Sequence, residues 1–235
     1  MPAEVTKLAR LLDRLEKFYG TPKRPNPTDP YEMILYINCA YPATEVSCAK
    51  GFDALKKSLG VRVDDILATP IEKLAEIARI GGSFPEKRAE RLREIAALVK
   101  HDFEGDLRTV LKRPLPEARK ALKMFPCIGD PSADKILLFT KTAPIAAVPS
   151  NCVHVSLRLG LGKEKKNYAA SYRSAQEAIR AQVAEDCGAL LRAYLLLKQH
   201  GQELCKTSRP RCELCPVSSD CVYFKGISRG VPATG

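Results

Sequence analysis

The chain has 235 residues, 45% of them hydrophobic, which is enough to bury one large core or two smaller ones without disulfide support. No uncharged apolar run approaches the roughly 20 residues that span a bilayer, and the opening segment mixes Glu4, Lys7 and Arg10 with aliphatics, so neither a membrane span nor a secretory signal is expected. Lys and Arg number 38 against 27 acids, a formal charge of +11, which suits a polyanion such as nucleic acid and equally a solvated lysine-rich face.

Val5, Leu8, Leu11, Leu12, Leu15 and Phe18 recur at helical spacing and predict a first helix with one apolar face, ended by Gly20. Thr21 to Pro30 carries four prolines in ten residues and predicts a loop. Further helices are predicted near 31–41, 44–58, 70–78, 86–101, 115–124, 132–142, 150–159, 168–184 and 187–200. Thr69-Pro70-Ile71-Glu72 reads as a capping box with proline at the first helical position, and Gly60, Gly105 and Gly201 read as stop signals. No sustained two-residue alternation argues for a sheet, so the expected fold class is all-α.

Nine cysteines without a secretory signal point to a reducing compartment, where clustered cysteines mean metal more often than disulfides. Cys205, Cys212, Cys215 and Cys221 are separated by six, two and five residues in one short segment. Zinc accepts four cysteines, but zinc sites more often pair two CxxC knuckles, whereas three unequal gaps suit the separate corners of a cubane. A 4Fe-4S cluster is therefore the expected cofactor, and it would lower the formal charge by two, to about +9. Of the scattered cysteines, Cys39, Cys48 and Cys187 read as small core hydrophobes.

This six-two-five spacing at the end of a basic helical chain resembles the cluster of the endonuclease III branch of helix-hairpin-helix DNA glycosylases. Leu195 to Gly201, leading into Cys205, resembles that family's lead-in helix. Phe125-Pro126-Cys127-Ile128-Gly129-Asp130-Pro131-Ser132-Ala133 resembles its hairpin, Leu-Pro-Gly-Val-Gly followed by two residues and Thr-Ala. Asp29-Pro30-Tyr31-Glu32-Met33 resembles its Asp-Pro-Phe-Glu-Leu barrel start, and Val148 to Gly160 its Val-Asp-Thr-His stretch before Arg-Leu-Gly.

The resemblance implies two helical lobes, a six-helix barrel with the helix-hairpin-helix over 27–136 and an iron-sulfur cluster domain formed by 1–26 and 137–235, with DNA across the groove between them. It implies a monomer that binds double-stranded DNA carrying a lesion, mismatch or abasic site, with no membrane partner. Localisation would be cytoplasmic and nucleoid-associated in a prokaryote, nuclear in a eukaryote. Pro126, Cys127, Ile128, Gly129 and Ser132 would hold a phosphate on backbone N–H groups at a helix N-terminus. Lys206, Arg209 and Arg211 would touch phosphates from the first cluster loop.

The chain departs from the family where chemistry is concerned. The lysine whose amine attacks the sugar falls on Pro131, which has no free amine, so a Schiff-base lyase at that position is excluded. The family's catalytic aspartate falls on Pro149, and its wedging glutamine on Pro42. Cys127 stands for the first hairpin glycine, so either the turn does not need positive φ there or it carries strain of order 1 kcal/mol. Substitute candidates are Asp130, Asp134, Lys135, Ser150 and Asn151. Asp134 and Lys135 also read as an exposed polar helix face, and Ser150 and Asn151 as caps of the helix running to Leu159. Tyr36 and Tyr41 read as core or pocket lining, and His154 as a surface or capping residue. The resemblance implies a divergent DNA glycosylase of base-excision repair that uses atypical residues. The alternative is a catalytically silent 4Fe-4S protein that recognises lesions or distorted DNA, and a third reading is an electron-shuttling cluster protein.

Overall fold

The computed structural model describes residues 5–23, 26–41 and 44–228, with no strand among them. The α-helices are α1 (Lys7–Tyr19), α2 (Pro30–Asn38), α3 (Glu45–Ser58), α4 (Val63–Ala68), α5 (Ile71–Ala78) and α6 (Pro85–Asp102). They continue with α7 (Leu115–Leu122), α8 (Asp130–Phe139), α9 (Val153–Arg158), α10 (Tyr168–Arg180), α11 (Cys187–Glu203) and α12 (Val222–Ser228). Sequence periodicity misses α4 and α12, because six and seven residues are too few to establish a helical repeat. None of the described helices is long and apolar enough to cross a membrane.

Helix starts follow side-chain chemistry. Thr6, Asp29, Thr44, Asn167 and Asp186 each accept a hydrogen bond from a first-turn amide of α1, α2, α3, α10 and α11, satisfying donors that would otherwise lack partners. The expected capping box at Thr69 does not form. Its hydroxyl donates instead to the Asp65 carbonyl at 2.7 Å, at the end of α4, and Pro70 precedes α5 with no side-chain cap. Gly201 is not a stop either. α11 runs through it to Glu203, and a Cβ there would stand 2.5 Å from the Cys152 Sγ, so glycine is needed for close approach.

Two compact units result, Pro25–Thr142 and Met1–Arg24 with Ala143–Gly235. In the first, α6 packs against α2, α4 and α5, and α3 against α2 and α5, around buried Ile34, Leu35, Leu55, Leu74, Leu92 and Ile95. This unit extends past the expected boundary at 136 because α8 stays whole to Phe139.

In the second unit, α1 lies on α11. Leu8, Leu11, Leu12 and Leu15 are buried, roughly 1.5–3 kcal/mol of transfer free energy each, but Val5 and Phe18 are exposed. The apolar face is thus narrower than expected. Arg192 of α11 reinforces the pair with ion pairs to Asp13 and Glu16 of α1. The nine cysteines are free thiols. Cys39 and Cys48 are buried as expected, whereas Cys187 is only half-buried because it opens α11.

Candidate functional site

In the first unit, α7 and α8 enclose the turn Phe125–Gly129. Phe125 and Ile128 are buried beneath it, and the Ile128 amide donates to the Phe125 carbonyl at 3.2 Å. The turn is held from below by Asn38. This side chain is fully buried, and its Nδ2 donates to the Ile34 carbonyl at 3.0 Å and to the Pro126 carbonyl at 2.9 Å.

Cys127 has φ 60°, a left-handed conformation, so of the two expectations the strained one applies. Gly129, with φ −95°, needs no such freedom.

Gly129 is the N-cap of α8, and no side chain caps that helix. The start of α8 is exposed at Gly129 and Asp130, and its free amides are of the kind that accept an anion. Two features weaken it. Pro131 in the first turn carries no N–H. Asp130, the first residue of α8, also brings a carboxylate to the same end, where Lys123 Nζ holds it at 2.6 Å.

The substitute catalytic candidates do not form a free polar face. Asp134 is 2% exposed and ion-paired at 2.6 Å with Arg119, which corrects its reading as an exposed helix position. Lys135 is half-buried, its Nζ 5.9 Å from the Tyr36 ring centre and 5.4 Å from that of Phe139, close enough for cation–π attraction. It is likewise not a solvated face. Tyr36 donates to the Glu45 carboxylate at 3.0 Å, and burial beside that carboxylate raises its pKa. Tyr41 is half-exposed, so the core reading fails for it. Pro42 lies outside the described residues.

Pro149 is buried and precedes a 3-10 turn, Ser150–Cys152. Ser150 and Asn151 are exposed in that turn, and neither caps α9, whose N-cap is Cys152 with no side-chain bond. The extra turn pushes the helix start past them. His154 is half-buried, its Nε2 2.7 Å from the Cys205 carbonyl, and burial lowers its pKa.

In the second unit, Cys205, Cys212, Cys215 and Cys221 line one small cavity, walled by Leu159, Leu204, Tyr223 and Phe224. Among the described residues no three His, Cys, Asp or Glu side chains converge on a single metal ion. Burial raises the pKa of Cys205 and Cys212 and pushes that of Cys215 to about 11, and a positive charge beside them opposes that rise.

Positive and donor groups surround them. Arg158 Nη1 lies 3.7 Å from Cys205 Sγ, and its guanidinium also donates to the carbonyls of Lys206 at 2.8 Å and Thr207 at 2.7 Å while stacking 4.6 Å from the Tyr223 ring centre. His200 is buried, its pKa pushed down to about 4 by that burial. Its Nε2 is 3.7 Å from Cys215 Sγ and its Nδ1 is 3.0 Å from the Tyr19 hydroxyl. A thiolate at Cys215 selects the Nε2–H form, leaving Nδ1 to accept from Tyr19. Four thiols around a cavity, with nearby donors to sulfur, suit a polynuclear cluster. Lys206, Arg209 and Arg211 are exposed on the loop that Arg158 fixes.

Two helices joined by a pinned tight turn, with the second helix uncapped and set in an all-α chain, define a helix-hairpin-helix protein. No family model matches the chain. It is 30% identical over 168 residues to the thymine/uracil-DNA glycosylase of Methanothermobacter thermautotrophicus, covering 70% of this chain and 69% of that one. It is 23% identical over 194 residues to endonuclease III of Bacillus subtilis, covering 83% and 81%. The chain belongs to the endonuclease III-like superfamily of helix-hairpin-helix DNA glycosylases.

Solved structures agree on the fold. A trapped endonuclease III–DNA covalent intermediate superposes with TM-score 0.74 at 19% identity, over 95% of this chain and 98% of that one. A thermostable thymine-DNA glycosylase superposes with TM-score 0.73 at 25% identity, over 93% and 97%.

Proposed function

We propose that this chain is a divergent DNA glycosylase of base-excision repair that binds duplex DNA and removes a damaged or mispaired base by hydrolysis, without an amine nucleophile. The observation that carries the reading is the hairpin, where Cys127 keeps the left-handed turn at φ 60° and Asn38 pins it ahead of an uncapped helix start. That arrangement grips a phosphate without reading a base. Lys206, Arg209 and Arg211 add phosphate contacts from the cysteine loop. Cys205, Cys212, Cys215 and Cys221 would hold a 4Fe-4S cluster, one thiolate per iron, which when bound supplies a rigid cross-link for that loop.

For base removal the C1′–N bond breaks with its electron pair leaving on the nucleobase, water adds at C1′ and gives a proton to a general base, and that proton is passed on to the departing nucleobase. Asp134 is buried in its pair with Arg119, whereas Asp130, paired with Lys123, is 55% exposed, and it is assigned the proton-accepting role. With no amine at position 131, the product is an intact strand with an abasic site.

Single-turnover incubation with a panel of lesion-bearing and mismatched duplexes tests the proposal. Release of a free base, lost in Asp130→Asn, is the expected result, and no borohydride-trapped adduct should form. A second reading is favoured by a specific observation. Prolines stand at both family catalytic positions, and Lys135 lies against two aromatic rings, as in a binder that has given up chemistry. Tight binding to abasic or mismatched duplex with no base release from any substrate would establish that reading instead.

A further inference from the structure

A groove of about 670 Å³ opens between the starts of α2 and α4, the last turns of α6 and the segment that follows it. It lies at the end of α2 away from the hairpin. Asp29, which caps α2, lines the groove, whereas Asn38, which ends α2 and holds the hairpin, stands about 13 Å further along the axis at 1.5 Å per residue. The groove shares no residue with the hairpin or the cysteine loop.

Its charge runs against that of the chain. Asp29, Glu32, Asp64, Glu104 and Asp106 line it with only three cations, Arg62, Lys100 and Arg108, a net charge of −2 in a chain of +11. Lys100 neutralises Asp64 at 2.7 Å, Arg108 neutralises Asp106 at 2.8 Å, and Lys56 reaches Glu32 from outside at 3.4 Å. Asp29 and Glu104 are left without an ion-pair partner among the described residues. The rest of the lining is apolar, with half-buried Val61 and Val63 beside buried Leu107 and Tyr31. Tyr31 carries a second sign of a missing ligand. It is 9% exposed, yet its hydroxyl is buried with no hydrogen-bond partner, and burial together with the Asp29 carboxylate raises its pKa. An orphaned buried hydroxyl is destabilising, and an N–H donor arriving beside Asp29 relieves it.

We propose that this groove docks a segment of a partner protein in which lysine or arginine alternates with aliphatic residues. Cationic heads complete Asp29 and Glu104, and one of them donates to the Tyr31 hydroxyl, while their aliphatic stems and the interleaved apolar side chains cover Val61, Val63 and Leu107. A metal ion or a single amine would leave most of the volume and its apolar lining unfilled, and the net negative charge repels nucleic acid. With the hairpin at the opposite end of α2, the partner and a duplex bound at the hairpin occupy different surfaces of this unit. The inference does not rest on base removal.

The test uses the full chain as purified. A capped hexapeptide alternating arginine and leucine is titrated at constant ionic strength, with a glutamate-for-arginine version as the control, following the amide resonances of Arg62 to Asp64 and Glu104 to Arg108 by NMR. Saturable shifts confined to these segments are expected with the arginine peptide alone. Affinity should fall on the order of tenfold in Asp29→Asn/Glu104→Gln, which removes both unpaired charges and keeps a side chain able to cap α2. Tyr31→Phe should weaken the peptide about threefold without lowering stability in denaturant unfolding, since the hydroxyl it removes has no partner in the free chain. That single-atom change keeps the test decisive if the double variant folds poorly. No saturable shifts, an equal response to both peptides, or affinity unchanged in both variants overturns the proposal. A concentration-dependent dimer in sedimentation velocity that the double variant abolishes also overturns it, because the occupant is then a second copy of this chain. None of these outcomes bears on whether a base is released.

Discussion

Lys123 Nζ and Asp130 Oδ1 stand 2.6 Å apart, joining the end of α7 to the first residue of α8 around the hairpin. The pair places a carboxylate at the helix end that a phosphate should approach, and it occupies the one lysine that follows α7 directly. Replacing Asp130 with Asn removes the like charge and frees Lys123. Duplex affinity, measured by fluorescence anisotropy at fixed salt, should rise about two- to fivefold. If Asp130 is also the proton acceptor, base release falls in the same variant, so tighter binding with lost turnover is the signature of the enzyme reading.

Cys127 occupies a left-handed position that costs a side-chain-bearing residue about 1 kcal/mol or more. Cys127→Gly relieves that strain at the expense of some unfolded-state entropy, and should stabilise the chain by up to about 1 kcal/mol. Denaturant unfolding checks it. A loss of stability would mean that the half-buried thiol contributes more packing than the backbone loses.

Arg158 holds the loop after α11 through the carbonyls of Lys206 and Thr207. Arg158→Met should cost about 2 kcal/mol, since hydrogen bonds from a charged donor are lost while the aliphatic stem remains. Trypsin should then cut faster after Lys206 and Arg211, and duplex binding should weaken. Unchanged cleavage would show that the loop is fixed by its cysteines alone.

Asp64 and Lys100 form an exposed pair at 2.7 Å, and the hydrogen bond and charge of Lys100 hold the Asp64 carboxyl below its ordinary value. The folded state therefore binds fewer protons than the unfolded state just below the ordinary carboxylate range. Stabilisation from this pair is present above the unfolded pKa and is lost as pH falls through the lowered folded value. NMR titration should show Asp64 protonating below typical exposed aspartates, and Lys100→Ala should return it to the ordinary range.

The fold and the cysteine set are legible in the sequence because their signals are local. Apolar periods mark the long helices, and the four ligand candidates fall within one segment. The residues that organise the sites are not legible, because their partners are remote in the chain. Asn38 bonds a carbonyl 88 residues away, and Arg158 reaches one 48 residues away. Asp134 illustrates the same limit, since nothing local distinguishes an exposed helix carboxylate from one buried against Arg119. Ser150 and Asn151 fail as caps for a different reason, because a 3-10 turn delays the helix by one short step.

Because one amide beneath the turn, that of Asn38, decides where the Pro126 carbonyl sits, the hairpin's placement is uncoupled from the identity of the residues at its tip. Drift at the tip, even to cysteine and proline, can then alter what the loop does to a bound strand while its orientation persists.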